Sequence, residues 1–391
     1  MGFELTLPTV ADGSGSCSEL TGDDPYNVCS EALVMRKPEI LTSVKKNSAV
    51  CGFNAILAPT EGISHSRLED MGFGDDLSDF TSGITKLTAE AVSDNINVVG
   101  VLSKSDPIAS EYGENVFESA YFDHLEKITI MKDEGADIIL LKNFEKLWDM
   151  RAGVLAAKSA DIPVIVTIKV DDEGVNESDT DYIAALITLQ ALGASAFGIE
   201  CTFGVDETAA LIKKAYPHSE IPLIAAVDID KLSDSDIELL NENGAAVYID
   251  TASCTDSEKI KKLMSLKPGF RYGEEKDSYA AAIFREAFFL PEYLELSEPL
   301  RCDLDMSDEI IDFDDEAINA IYIHLGSTDD AAYLADNAVM SRLPFIIRAD
   351  DPTTLEAALR YYQGRLIVDT RCDIDEETLS RLTKKYGAVM Y

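Results

Sequence analysis

Short apolar segments rich in β-branched residues alternate with longer segments of helical period throughout residues 1–265, and this alternation constrains the fold more than any other feature. Eight of the short segments are predicted as strands, at residues 4–10, 54–58, 97–102, 137–141, 163–170, 196–201, 222–227 and 245–250. Strands that alternate with helices predict a parallel sheet covered by helices. Eight repeats of this length predict a closed (β/α)8 TIM barrel rather than an open sheet.

Several of the predicted barrel helices share a terminating signal. They are placed at residues 79–93, 121–134, 147–159, 181–192, 206–215, 235–243 and 257–265. A Gly-Ala pair stands just before the next strand at Gly135, Gly193 and Gly244. Because glycine adopts the left-handed conformation without steric cost, we expect these residues to cap the helices and turn the chain back to the sheet.

The rhythm breaks after residue 265. A Lys-Pro-Gly sequence at 267–269 ends the barrel, and residues 277–289 are predicted to be helical. A second series predicts strands at 320–325, 344–348, 366–369 and 388–391, with helices at 329–341, 353–362 and 376–385. We therefore expect three parts: a barrel at 1–265, a helix and acidic linker at 266–315, and a small C-terminal α/β unit at 316–391.

Charge excludes several classes of partner. The chain has 72 acidic and 33 basic residues, a formal net charge of −39. A surface this acidic repels nucleic acids and anionic membranes.

The N-terminus has neither a basic region nor an apolar run typical of a signal peptide, and no apolar run reaches the ~18 residues that cross a bilayer. Seven scattered cysteines without a C-x-x-C pair indicate free thiols in a reducing compartment, so we expect a cytoplasmic protein.

Four segments together resemble one family. They are the Asp-Gly-Ser-Gly-Ser turn at 12–16, the Lys-Pro-Glu-Ile-Leu sequence at 37–41, the loop at 58–68 and the Gly-Ile-Glu-Cys-Thr-Phe-Gly sequence at 198–204. Their order and spacing resemble the homocysteine S-methyltransferase domain, as found at the N-terminus of cobalamin-dependent methionine synthases. Residues 343–359 resemble part of the pterin-binding barrel of the same enzymes, although only half a barrel is present.

The resemblance implies a zinc site, and this chain departs from it. In the family three cysteines hold zinc, which leaves the fourth position for the sulfur of the substrate. Cys201 matches the first ligand, but Ala252 and Ser253 stand where the adjacent pair is expected. Cys254 lies one residue later, and His65 is the nearest candidate for a third ligand. These residues favour a metal-free barrel mouth, with Cys201 as the residue that handles the thiol.

The resemblance also implies a substrate site that is altered here. The family places a glutamate for the amino group of the substrate after the fourth strand, where this chain has Lys142. Glu200 stands where the family has asparagine, so it would either bind the amino group or pair with Lys142, and we favour the pairing. Asp12 and Gly13 are expected to orient a ligand at the first turn.

Three functions are compatible with these residues. The first is a thiol methyltransferase, or the substrate domain of a corrinoid-dependent system, in which corrinoid or methyltetrahydrofolate is bound only by partner domains or proteins. The second is a non-catalytic binding or assembly module on the same barrel. The third is a zinc-independent enzyme whose anionic substrate binds Lys142.

Overall fold

The computed structural model describes residues 5–21, 29–106, 114–313 and 316–391. Eight parallel strands pair in chain order, and the first also pairs with the eighth, so the sheet closes. They are β1 (Thr9–Ala11), β2 (Ala55–Ala58), β3 (Asn97–Leu102), β4 (Ile138–Lys142), β5 (Val164–Val170), β6 (Ala196–Cys201), β7 (Leu223–Val227) and β8 (Ala245–Asp250). The predicted TIM barrel is confirmed, although β1 is shorter than expected and begins only at Thr9, where its pairing with β8 starts.

Helices surround the barrel. They are α1 (Cys17–Thr21), α2 (Ser30–Arg36), α3 (Glu39–Cys51), α4 (His65–Asp70), α5 (Leu77–Ala91), α6 (Glu114–Asp133), α7 (Leu147–Ser159), α8 (Tyr182–Leu192), α9 (Val205–Ala215), α10 (Asp234–Glu242) and α11 (Ser257–Ser265). Short 3₁₀ turns occupy Gly74–Asp76, Tyr216–His218 and Ile229–Lys231. Gly193 caps α8 with a φ of 117°, and Gly244 follows α10 with a φ of 112°, as the Gly-Ala signal predicts.

Residues 277–289 are not helical, which corrects the sequence prediction. They contain a hairpin of β9 (Ala280–Ala282) and β10 (Ala287–Phe289). Ala282 exchanges main-chain hydrogen bonds with Arg365, at 3.1 and 2.8 Å. The buried alanines of β9 have a high helix propensity, but pairing with a distant segment overrides it.

The C-terminal unit is a five-stranded parallel sheet in the order β11 (Leu300–Arg301), β12 (Ile321–Leu325), β13 (Phe345–Ala349), β14 (Ile367–Val368) and β15 (Val389–Met390). β11 lies in the segment predicted as an acidic linker. The connecting helices are α12 (Ser307–Phe313), α13 (Thr328–Asn337), α14 (Pro352–Tyr361) and α15 (Glu376–Tyr386), with a 3₁₀ turn at Ala338–Met340. The predicted small α/β unit after the barrel is therefore confirmed.

Basic side chains join the unit to the barrel. Arg151 on α7 is buried and donates to the main-chain oxygens of Leu359 at 2.6 Å and Arg360 at 3.0 Å, and also to that of Tyr362. These carbonyls end α14, so the guanidinium caps that helix. Lys158, also on α7, donates to the last turn of α15. A continuous hydrophobic core extends from the barrel helices into the C-terminal unit.

Within the described segments, the helices are all too short or too polar to cross a bilayer.

Candidate functional site

The side chains predicted to carry chemistry lie at the carboxyl ends of the barrel strands. Asp12 follows β1, Lys142 ends β4, and Glu200 and Cys201 end β6. Because all eight strands are parallel, these ends meet at one mouth of the barrel, which is where TIM-barrel enzymes place their active sites.

The Asp12 carboxylate is fully engaged by the protein. Its Oδ1 accepts from the Leu57 amide at 2.7 Å, and its Oδ2 lies 2.9 Å from the buried Lys45 Nζ. The hydroxyls of Ser14 and Ser48 also donate to Oδ2, at 3.1 and 3.2 Å. With these four donors, Asp12 fixes the turn after β1 and holds α3 against it. This geometry makes Asp12 a positioning residue, and sequence reasoning missed its partner Lys45.

Gly13 permits a close approach at the mouth. A Cβ atom at this position would lie 2.1 Å from the Asp250 carbonyl oxygen and 2.5 Å from that of Ala252, both of which are backbone atoms. Only glycine therefore lets the turn after β1 lie against the loop after β8. A cavity of about 270 Å³ opens beside this contact, with Cys254 in its lining.

Lys142 pairs with Glu61, not with Glu200 as predicted. Its Nζ lies 2.8 Å from Glu61 Oε2 in the loop after β2, and 3.8 Å from a carboxylate oxygen of Glu19. Burial alone lowers the pKa of Lys142, but Glu61 above all, followed by the more distant charges of Glu19 and Glu200, outweighs burial and raises it. Lys142 is therefore a charged lysine that is already neutralised. Glu61 belongs to the loop at 58–68, whose sequence resembles that of the family. Its position next to β4 follows only from the closure of the barrel.

Glu200 instead pairs with Asn143, a residue that the sequence did not single out. Asn143 Nδ2 donates to Glu200 Oε2 at 2.9 Å, which sets the orientation of the amide. The oxygen of the same amide, Asn143 Oδ1, is buried and accepts no hydrogen bond from the described residues. The closest cation to Glu200 among the ion pairs of the described chain is Lys169, at 3.9 Å. The Glu200 carboxylate is partly exposed and can accept from a ligand, whereas Asn143 Oδ1 is shielded and could do so only after its amide moves.

The three candidate metal ligands have separate surroundings. Cys201 is half-buried, with its Sγ 3.8 Å from the carbonyl oxygen of Asp171. Cys254 is buried, and its thiol donates to Asp230 Oδ1 at 3.0 Å. Burial first, and then Asp230, raise the pKa of Cys254 to about 12. His65 lies at the start of α4, half exposed, and its Nε2 is 3.6 Å from a carboxylate oxygen of Glu126 on α6.

These surroundings do not fit the family's zinc site. In the part of the chain that the structure describes, no three His, Cys, Asp or Glu side chains converge as a metal would require. Cys201, Cys254 and His65 are therefore not brought together. Zinc binds the thiolate form of cysteine, whereas Cys254 donates its proton to a carboxylate.

Comparison with known proteins places the chain in a family. Residues 9–258 match the family model of homocysteine S-methyltransferase. Methionine synthase of Mycobacterium tuberculosis is 27% identical over 225 residues, and that of Mycobacterium leprae is 25% identical over 221 residues. Each match covers 53% of this chain but only 18% of the relative, so the chain spans less than a fifth of either methionine synthase.

Solved structures show the same barrel. The metallated form of the homocysteine methyltransferase MmuM from Escherichia coli superposes with a TM-score of 0.54 at 16% identity, covering 66% of this chain and 95% of that one. Its oxidized form gives a TM-score of 0.54 at 15% identity, covering 66% and 96%. At this identity the likeness shows the fold alone. The family match, which spans most of the barrel, shows that this chain belongs to the homocysteine S-methyltransferase family.

Proposed function

We propose that the barrel binds an amino-acid thiol of the homocysteine class at its mouth and presents it to a methyl donor. Family membership and the similarity to methionine synthases support this class of substrate. The observation that carries the proposal is the pair formed by Glu200 and Asn143.

The ammonium group of an amino acid needs acceptors, and this pair supplies them. Glu200 offers a carboxylate that is 24% exposed and is held by a neutral amide rather than by a close cation. Asn143 Oδ1 is buried without a donor among the described residues, which is costly unless a ligand or water supplies one. An ammonium bound to Glu200 would satisfy both oxygens once the Asn143 amide moves to bring Oδ1 into the mouth. Lys142 does not oppose it, because Glu61 neutralises that lysine.

Cys201 follows Glu200 on β6, so its side chain faces the other side of the strand and packs against the core beneath the barrel helices. The proposal therefore places the thiol end of the ligand in the mouth without a contact to Cys201. Because the candidate zinc ligands are not assembled, the proposal assigns to this barrel the binding and orientation of the thiol, and not its activation by zinc. The methyl group would come from a corrinoid or methyltetrahydrofolate held by another domain or a partner protein. The much greater length of the methionine synthases is consistent with such a division of labour.

The alternative of an anionic substrate at Lys142 is less well supported. An anion would have to displace Glu61 from an ion pair of 2.8 Å. A non-catalytic module would bind its ligand at the same site as a transferase, but it would form no product. Formation of an S-methylated product from homocysteine and methylcobalamin would distinguish a transferase from such a module.

Isothermal titration tests the ligand site. We expect L-homocysteine to bind, and 4-mercaptobutyrate, which lacks the amino group, to bind at least about tenfold more weakly. Glu200→Gln should lower the affinity for homocysteine by a similar factor and leave the affinity for 4-mercaptobutyrate unchanged. Glu242→Gln, which removes an exposed charge at the C-terminal end of α10, away from the barrel mouth, is the matched control and should have no effect.

The titration is repeated with added zinc and with a chelator. Equal affinity for both thiols would overturn the ammonium contact. Absence of homocysteine binding under both conditions would overturn the proposed function. Binding that requires zinc would contradict the reading of the mouth as unsuited to the metal.

A further inference from the structure

A cleft of about 360 Å³ lies where the barrel meets the C-terminal unit, and neither the family nor the proposed function assigns it a ligand. Residues 146–148 and 178–180 of the barrel form one wall. The tip of the β9–β10 hairpin, with Phe284 and Arg285, forms a second. Met340 and Gln363 of the C-terminal unit close the third side. We call this the hairpin cleft. Ligand sites commonly occupy such junctions between two folded units.

Two buried donors in its walls have no acceptor. The Nε1 of Trp148 and the Nε2 of Gln363 are shielded from solvent and make no hydrogen bond within the described chain. Gln363 is only 7% exposed. Buried N–H groups are nearly always paired in folded proteins, because an unpaired one loses its bonds to water without replacement. Two such donors on one cleft indicate that an acceptor belongs there.

The third donor is a loosely held guanidinium. Arg285 Nη1 reaches the Val339 carbonyl oxygen only at 3.4 Å, and Nη2 lies 3.8 Å from Asp179, whose side chain is 73% exposed. The Arg285 guanidinium also stacks over Phe284 at 4.6 Å from the ring centroid. Asp179 is the sole carboxylate that lines the cleft among the described residues, and Lys146 lines it as well. A donor-rich, cationic cleft is unusual on a chain with a net charge of −39.

We propose that the hairpin cleft binds a small organic anion, a carboxylate or a phosphate ester with an apolar body. The anionic oxygens would accept from Arg285, Trp148 and Gln363, and the apolar body would lie against Phe284 and Met340. Charge-assisted hydrogen bonds of this kind are stronger than neutral ones. Because both nitrogens are shielded, binding includes a rotation of the Gln363 amide and a shift of the Trp148 indole toward the cleft.

Trp148 reports on this site directly, because it is the only tryptophan in the sequence. Its fluorescence is followed while the full chain is titrated with benzoate, phenyl phosphate and the neutral probe benzyl alcohol, at ionic strength matched with sodium chloride. We expect a saturable change with an anionic probe and none with benzyl alcohol. Saturation by phenyl phosphate alone would assign phosphate esters, and saturation by benzoate alone would assign carboxylates.

Two variants locate the binding. Gln363→Met keeps the size of the side chain and removes its donors, and Arg285→Gln removes the charge. Each is expected to lower the affinity for the anionic probe by about tenfold, which corresponds to the loss of one good hydrogen bond. Arg271→Gln, at a side chain that is 76% exposed and lies outside the cleft lining, is the matched control and should leave affinity unchanged. Circular dichroism and thermal unfolding establish that each variant folds.

Three results would overturn the proposal. They are no saturable change with any anion at millimolar concentration, equal binding of benzyl alcohol, or unchanged affinity in both Gln363→Met and Arg285→Gln. The first would leave ordered water as the partner of the two donors. Glu200→Gln is expected to keep its affinity for the anionic probe, so failure here and failure of the proposed function can be told apart.

Discussion

The Lys45 ammonium and the Asp12 carboxylate lie 2.9 Å apart in the wall of the barrel mouth, and their side chains are 0% and 4% exposed. Removing one partner of a buried ion pair leaves an uncompensated charge, which costs about 3–5 kcal/mol. We therefore expect Lys45→Met to lower the free energy of unfolding by about that amount, measured by urea denaturation at neutral pH. Because Asp12 positions the turn after β1, we expect Lys45→Met to lower the stability of the fold.

Lys46→Met is the matched control, because Lys46 is the exposed neighbour on the same helix. The double variant Asp12→Asn with Lys45→Met removes both charges and should recover part of the loss. If Lys45→Met costs no more than Lys46→Met, the pair does not have the structural importance that its burial indicates.

Arg151 anchors the C-terminal unit, and its removal should loosen that unit. Burial lowers the pKa of Arg151 to about 10, so the guanidinium remains charged at neutral pH. Arg151→Met leaves the terminal carbonyls of α14 without their donor, which we expect to cost at least about 2 kcal/mol. Limited proteolysis with mass spectrometry should then detect new cleavage after α14. Arg381→Met, at an exposed position on α15, is the control. An unchanged cleavage pattern in Arg151→Met would show that the hydrophobic core alone holds the unit.

Local signals predicted most of the fold. α7 and β8 coincide with their predicted bounds, and Gly193 and Gly244 adopt the left-handed conformation that the Gly-Ala signal requires. These features depend on residues close together in the chain. The error at 277–289 has the opposite cause, because Ala282 pairs with Arg365 and no local pattern announces so distant a partner.

The site was predictable only in part for the same reason. Lys142, Glu200 and Cys201 lie at the carboxyl ends of strands, so the prediction of an eight-stranded barrel already places them at the same mouth. Which carboxylate neutralises Lys142 depends on loop geometry across the mouth, and Glu61 is that partner. Asn143 follows Lys142 directly, so its place at the strand end could have been predicted from the sequence. That its amide oxygen is buried without a partner depends on how the side chains pack, which the sequence pattern does not give.

The Cys254 thiol should be unreactive. Burial first, and then its hydrogen bond to Asp230, raise the pKa of this thiol to about 12, so at pH 8 very little of it is the thiolate that reacts. We expect iodoacetamide to label Cys254 at least about a hundredfold more slowly in the folded chain than in urea, measured by mass spectrometry with a chelator present. Asp230→Asn removes the carboxylate and should accelerate the labelling. Rapid labelling of the folded wild type would contradict the protonated thiol.

The last prediction concerns pH and the C-terminal sheet. The buried Asp369 carboxylate accepts from Tyr322 Oη at 2.8 Å and from Arg371 Nε and Nη2, both at 2.9 Å. Burial alone raises the pKa of Asp369, but these bonds outweigh it and lower the pKa from 3.8 to about 2. Since the folded chain holds this proton less tightly than the unfolded chain, the carboxylate stabilises the fold above about pH 4, and this stabilisation is lost as the pH falls to about 2.

Each unit of pKa corresponds to about 1.4 kcal/mol, so we expect Asp369→Asn to lose about 2 kcal/mol at neutral pH. Urea denaturation of wild type and variant from pH 7 to pH 2.5 measures the difference. That difference should be constant down to about pH 4 and then shrink, because the unfolded wild type binds a proton at this position before the folded one does, which favours unfolding. Asp172→Asn, at an exposed carboxylate, should show no such trend. A difference that grows as the pH falls would mean that the bonds from Tyr322 and Arg371 do not favour the charged form.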